Sequence, residues 1–173
     1  MVLSCAIFMC GTTVYAQKQQ PNSVAASACD EPPYHALDFW VGEWDVFDSG
    51  DSSKAGESSI SKILKGCAIE VNWVGTEGEH VRELFYYDKP QREWIQVWVG
   101  DAGATKQRQL LDQAENGTVR FQGKVAHVDG RSHLDRSTVT PLPGHRIHQV
   151  IELSRDQGNS WQTVFDAEYR RRK

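Results

Sequence analysis

The chain has 173 residues, 39% hydrophobic and 24% charged, with 19 Lys plus Arg against 23 Asp plus Glu and a formal net charge of -4. This is the size and composition of one folded domain with a core, and six Trp set it apart from disordered chains. Mild acidity gives no general attraction for nucleic acid or anionic lipid, so nucleic-acid binding drops out of the candidate functions.

At the start of the chain, Val2 to Cys10 form an apolar run, followed by Val14-Tyr15-Ala16, the small-residue pattern at which a signal peptidase cuts. Residues 1–16 are therefore expected to be a signal peptide, and the mature protein secreted or periplasmic. The apolar run is about half as long as a ~20-residue bilayer span, so no membrane span is expected. Processing as a lipoprotein at Val2-Leu3-Ser4-Cys5 is the alternative. Removal of the leader leaves Cys29 and Cys67, which have one possible pairing, and a disulfide between them is predicted. No Cys-x-x-Cys spacing indicates a redox dithiol or a structural zinc site. Residues 17–36, with Pro21, Pro32 and Pro33 and no period, read as a tail, leaving a single domain over 37–173.

From Leu37 the chain repeats one pattern, eight to ten residues rich in Val, Ile, Trp, Tyr, Phe and Thr and then a short stretch of Gly, Asp, Asn or Pro. The runs fall near residues 40–48, 57–64, 67–74, 80–88, 92–100, 104–111, 117–124, 133–140, 145–154 and 160–170. None sustains a helical period long enough for the crossover of a parallel unit, so the sheet is expected to be antiparallel. Asp88-Lys89-Pro90, Asn116-Gly117, Asp129-Gly130, Pro143-Gly144 and the stretch from Asp156 to Asn159 supply turn chemistry between runs. Asn116-Gly117-Thr118 also matches a glycosylation acceptor, but its place between strands favours the turn. About ten hairpin-connected strands with one continuous apolar face close most simply into an all-β, up-and-down antiparallel barrel, which leaves no sheet edge exposed.

Alternation assigns side chains to the barrel interior. They are Trp40, Trp44 and Val46; Cys67, Ile69, Val71 and Trp73; Val81, Glu83, Phe85 and Tyr87; Trp94, Gln96 and Trp98; Val119 and Phe121; Ile147, Gln149, Ile151 and Leu153; and Trp161, Thr163, Phe165, Ala167 and Tyr169. Arg136 is placed inside with them. The opposite face of the fifth run, Ile95, Val97 and Val99, is apolar as well. A terminal segment, a loop or a second copy in a homodimer would cover it.

Leu37-Asp38-Phe39-Trp40-Val41-Gly42-Glu43-Trp44-Asp45-Val46 resembles the opening of calycin-type barrels, in which a short helical turn leads into a first strand with a Gly-x-Trp. Gly66-Cys67 precedes an apolar strand with a Trp, and Tyr87-Asp88 precedes Glu93-Trp94-Ile95-Gln96-Val97-Trp98-Val99. With these, most of residues 37–170 resembles an uncharacterised family of secreted bacterial lipocalin-like proteins. The resemblance implies the fold and carries no activity. The opening is also similar to nitrobindin-like haem barrels, which would imply a haem; no residue matches their axial His, and no cofactor is predicted. Ser154-Arg155-Asp156-Gln157-Gly158-Asn159-Ser160-Trp161 has the form of the Asp box of sialidase propellers, a hairpin whose Asp accepts hydrogen bonds from turn amides. A single copy in so short a chain excludes a propeller.

The chain contains no Gly-x-Ser-x-Gly elbow, His-Glu-x-x-His, phosphate-binding glycine loop or dinucleotide fingerprint. His145 and His148 are three apart, which on a strand sends the rings to opposite faces. His127 and His133 flank a turn and could meet across a hairpin, but two imidazoles make a weak metal site, and no metal is predicted. His35 and His80 read as solvated rings at element ends. What remains is an inward polar set, Glu83, Gln96, Arg136 and Gln149, among Trp44, Trp73, Trp94, Trp98, Tyr87 and Tyr169. Burying such groups without partners costs about 1–3 kcal/mol each, and a wet or occupied cavity avoids that cost. The plainer alternative is a Glu83–Arg136 salt bridge in a filled core.

Three functions follow as expectations. The first is an exported protein binding a small hydrophobic or aromatic molecule between Trp44, Trp73, Tyr87, Trp94 and Trp98, oriented by Glu83, Gln96, Arg136 and Gln149. The second is an isomerase or cyclase with Glu83 as general acid or base and Arg136 stabilising negative charge. The third is a carbohydrate- or protein-interaction module using an exposed aromatic or apolar face.

Overall fold

The computed structural model describes residues 29–173; the expected signal peptide and residues 17–28 of the expected tail lie outside the described residues. The strands are β1 (Gly42–Asp48), β2 (Lys54–Ile63), β3 (Ala68–Gly75), β4 (His80–Asp88), β5 (Glu93–Gly100), β6 (Thr105–Gln113), β7 (Val119–Ala126), β8 (Ser132–Leu142), β9 (Arg146–Ser154) and β10 (Gln162–Arg171). Each pairs antiparallel with its neighbours in sequence, and β1 pairs with β10 to close the ring. The protein is thus an all-β, up-and-down barrel of ten strands, consistent with a calycin-like fold. Helical structure among the described residues is confined to 3-10 turns at Pro32–His35, Asp38–Trp40 and Leu64–Gly66. No helix among them is long and apolar enough to cross a membrane.

The two ends of the barrel differ. The first two 3-10 turns fold under one end and plug it. Leu37, Trp40, Trp44, Val46, Ile69, Phe85 and Trp94 form the packed part of the core there. Trp40 meets Phe85 and Tyr169 edge-on, at ring separations of 5.5 and 6.1 Å, a favoured aromatic geometry. The Trp44 indole donates to the Trp40 carbonyl and the Trp94 indole to that of Pro33, both at 2.9 Å. Cys29 and Cys67 form the expected disulfide, tying the start of the plug to the edge of β3. Residues 29–36, read from sequence as tail, therefore belong to the fold: Tyr34 is buried and packs edge-on against Tyr87 at 5.3 Å.

Register shifts interrupt the regular pairing at Val46/Phe47, Leu110/Asp112 and Thr163/Phe165. Where β7 crosses β6, a Cβ on Gly123 would lie 1.9 Å from the Gln107 carbonyl oxygen, so only glycine permits this approach. In β10 the register shifts between Thr163 and Phe165, and the extra residue reverses the alternation. Trp161 and Thr163, expected inside with Phe165, are consequently outside. Trp161 lies under the Arg136 guanidinium at 3.8 Å.

The β9–β10 turn is an Asp box. Asp156 accepts from the Ser160 amide at 2.9 Å, the Ser160 hydroxyl at 2.6 Å and the Ser154 hydroxyl at 2.8 Å. These bonds, those of Ser160 first, hold the Asp156 carboxyl down to a pKa of about 2.

Candidate functional site

Above the plug, the half of the barrel facing the other end is not filled. A cavity of about 240 Å³ is walled by Trp73, Trp98, Phe165, Val71, Val81 and Ile151, with Glu83, Gln149 and Tyr169 at its polar floor and Glu79 at its mouth. Strands β3, β4, β5, β9 and β10 each contribute inward positions, so the cavity is a product of alternation. Both indoles lie over glycines: Cβ atoms on Gly56 and Gly100 would come within 2.7 Å of the Trp73 ring and 2.8 Å of the Trp98 ring.

Beneath the cavity runs a chain of charged and polar side chains. Gln96 donates through Nε2 to Glu83 Oε2. Its Oε1 accepts from Arg108 Nη1 at 2.9 Å. Arg108 Nε donates to Asp135 Oδ1 at 2.5 Å, and Nη2 is in ion contact with the same oxygen without hydrogen-bond alignment. Lys106 Nζ completes the group on Asp135 Oδ2 at 2.8 Å and stands 5.0 Å from the Trp98 ring centre. Arg108, Asp135 and Gln96 are fully buried. Two cations thus balance two carboxylates within the wall.

Glu83 is enclosed by protein except where it borders the cavity. Burial raises its pKa above the ordinary carboxyl range, and the Arg108 charge and the Gln96 hydrogen bond oppose that only in part. Gln149 is held at both ends, donating to Ser137 Oγ at 3.0 Å and accepting from the Tyr169 hydroxyl at 2.5 Å. Burial, then the nearby Glu83 charge, pushes the Tyr169 phenol well above its usual value.

The expected site residues divide into three groups. Trp73, Glu83, Trp98 and Gln149 line the cavity, and Gln96 supports Glu83 from behind. Trp44, Tyr87 and Trp94 face inward but serve the plugged end, and none of them lines the cavity. Arg136 is outside the barrel. It forms a bidentate pair with Glu152, at 2.7 and 3.1 Å, so no Glu83–Arg136 bridge exists and Arg136 cannot act on anything in the cavity. The inner arginine is Arg108.

Arg108, Asp135 and Lys106 escaped the sequence reading for a physical reason. β6 offers Leu110 and Leu111 side by side, so either phase looks acceptable. In β8, Leu134 is the one apolar residue between Ser132 and Thr138, and it shares the outer face with Arg136, so it points to the wrong phase. Val139, buried on the inner face, was the available signal: it puts Asp135 and Ser137 inside and Arg136 outside.

At the open rim, His127 and His133 do meet, with Nε2 and Nδ1 2.8 Å apart. Burial lowers the His133 pKa, against the attraction of Asp135. No group of three or more potential metal ligands occurs among the described residues. His148 pairs with Asp166 at 2.7 Å on the outer wall. On the apolar outer face of β5, Ile95 is buried while Val99 is 44% exposed. Compared with known proteins, the chain matches no family model and no curated protein sequence.

Proposed function

We propose that the protein is an exported small-molecule carrier or sensor that holds a compact aromatic or hydrophobic molecule between Trp73 and Trp98. The observation that carries this reading is the 240 Å³ space walled by indole and aliphatic groups with a carboxylate and an amide at its floor. Ligand sites typically combine apolar walls with a few convergent polar groups in this way. An apolar cavity of about 150 Å³ admits benzene, so one of this size suits one or two fused rings with a short side chain. The Cys29–Cys67 disulfide supports passage through an oxidising compartment, and the Gly-x-Trp opening of β1 supports kinship with secreted lipocalin-like proteins.

A test is the shift of tryptophan emission when a library of one- and two-ring aromatics is added, with Trp98→Phe as the control that identifies the responding ring. Indifference to the whole library would remove the proposal.

A second reading has one specific observation in its favour: Glu83 borders the cavity with a pKa raised by burial, the condition of a general acid or base. Isomerisation or cyclisation of a hydrophobic substrate then rests on Glu83, with Gln96 positioning it. Turnover abolished by Glu83→Gln would favour this reading, whereas a carrier turns nothing over with or without that change.

A further inference from the structure

We propose that the molecule held in the barrel is an organic cation, an arylalkylamine or related ammonium compound whose N–H donates to Glu83 while its ring lies between the two indoles. The inference rests on the binding function above and specifies the chemical class of the guest.

Three features of the cavity point the same way. Glu83 lines the cavity; its Oε2 accepts from Gln96, and no described residue donates a hydrogen bond to its Oε1. A carboxylate oxygen left without a donor in a partly dry space calls for a donor on the guest, and a charged donor binds it most strongly. The charged groups lining the space are both acidic, Glu79 and Glu83, and no Lys, Arg or His lines it. The nearest cations, Lys106 and Arg108, are committed to Asp135. Counting them with Asp135 and Glu83 leaves the wall neutral, so Glu79 gives the mouth one uncompensated negative charge. Its carboxylate folds back over Gly75, occupying the place a Cβ would take, and forms no ion pair with a described residue.

The walls complete the recognition. Faces of Trp73 and Trp98 attract a cation through the ring quadrupole more strongly than other aromatic side chains do, and Lys106 already stands over Trp98 in this way at 5.0 Å. The other polar groups at the floor are neutral: Gln149 donates one N–H to Ser137 and accepts from Tyr169, and offers a guest no formal positive charge. An anionic guest would instead meet two carboxylates with no base to receive it.

Calorimetric titration with three probes of one shape separates the possibilities: tryptamine, 3-ethylindole and indole-3-acetate. At neutral pH tryptamine should bind about tenfold or more tightly than 3-ethylindole, and indole-3-acetate most weakly. In Glu83→Gln the ratio of the 3-ethylindole to the tryptamine dissociation constant should fall to about one. Glu79→Gln, at an exposed position that leaves the wall intact, should reduce the same ratio about threefold and make it less sensitive to added salt. Equal binding of all three probes, or preference for the acid, overturns the cation assignment while leaving the binding function standing. Failure of every probe and of the wider aromatic library overturns both.

Discussion

Asp135→Asn is the most informative single change to the wall of the barrel. The carboxylate is fully buried and accepts from Arg108 Nε at 2.5 Å and Lys106 Nζ at 2.8 Å. Asparagine keeps the shape but removes the charge and turns a donor toward one of the two cations. Breaking a buried ion pair from one side costs about 3–5 kcal/mol, because the surviving charge remains desolvated. Lys106, with its side chain 22% exposed, can swing to water, so Arg108 bears the loss and about 3 kcal/mol is expected. That is a large part of the total for a domain stable by about 5–15 kcal/mol. Urea unfolding of the disulfide-intact protein, followed by tryptophan emission and circular dichroism together, measures it. The paired control is Arg108→Met with Asp135→Leu, which removes both charges and should recover most of the lost stability, since well-packed apolar replacements of a buried pair are often neutral. A loss below about 1 kcal/mol in Asp135→Asn, or a double variant no more stable than the single one, would refute the reasoning.

Reduction of the disulfide, or Cys29→Ser, frees a 38-residue separation and should lower stability by about 4 kcal/mol in the chain-entropy account; an unchanged urea midpoint after reduction would contradict it. Glu83→Gln should stabilise the empty barrel at neutral pH. The folded-state pKa of Glu83 is raised, so the wild type loses stability as pH rises from the unfolded carboxyl value through the folded one. The gap in melting temperature between variant and wild type should therefore widen as the pH rises above the ordinary carboxyl range; a gap independent of pH would show that Glu83 is not penalised by burial. Asp156→Asn should destabilise the β9–β10 turn at neutral pH. Because the Asp156 pKa is depressed to about 2, the wild type's advantage should vanish as pH falls from the ordinary carboxyl range through that value, as thermal melts of the pair at descending pH would show.

Much of the architecture was legible because the information is local. Period-two alternation and the Asn-Gly and Asp-Gly turns mark each strand, and a chain of hairpins has one simple way to close. The strand runs read from sequence match β1 to β10 to within three residues at either end. Most of the cavity wall was legible for the same reason: Trp73, Glu83 and Gln149 sit in strands whose apolar residues fix the phase, while in β5, apolar on both faces, Trp98 was placed by its period with Trp94. Arg136 was misplaced where the two apolar anchors of β8, Leu134 and Val139, point to opposite phases, and Trp161 where a bulge adds one residue that no alternation rule can foresee. Trp44, Tyr87 and Trp94 were correctly turned inward but assigned to a ligand. Distinguishing the stoppered end from the hollow one requires knowing where residues 29–41 go, and that is a tertiary fact.

Tyr169 has a consequence of its own. Its ring touches Trp40 and Trp44, while its hydroxyl holds Gln149. One side chain is thus a shared keystone between stopper and chamber. Displacing the N-terminal strap would therefore take from Tyr169 the Trp40 ring that steadies it, while Gln149 and the Gln96–Arg108–Asp135 layer, all carried by strands, would keep the bottom of the hollow in place.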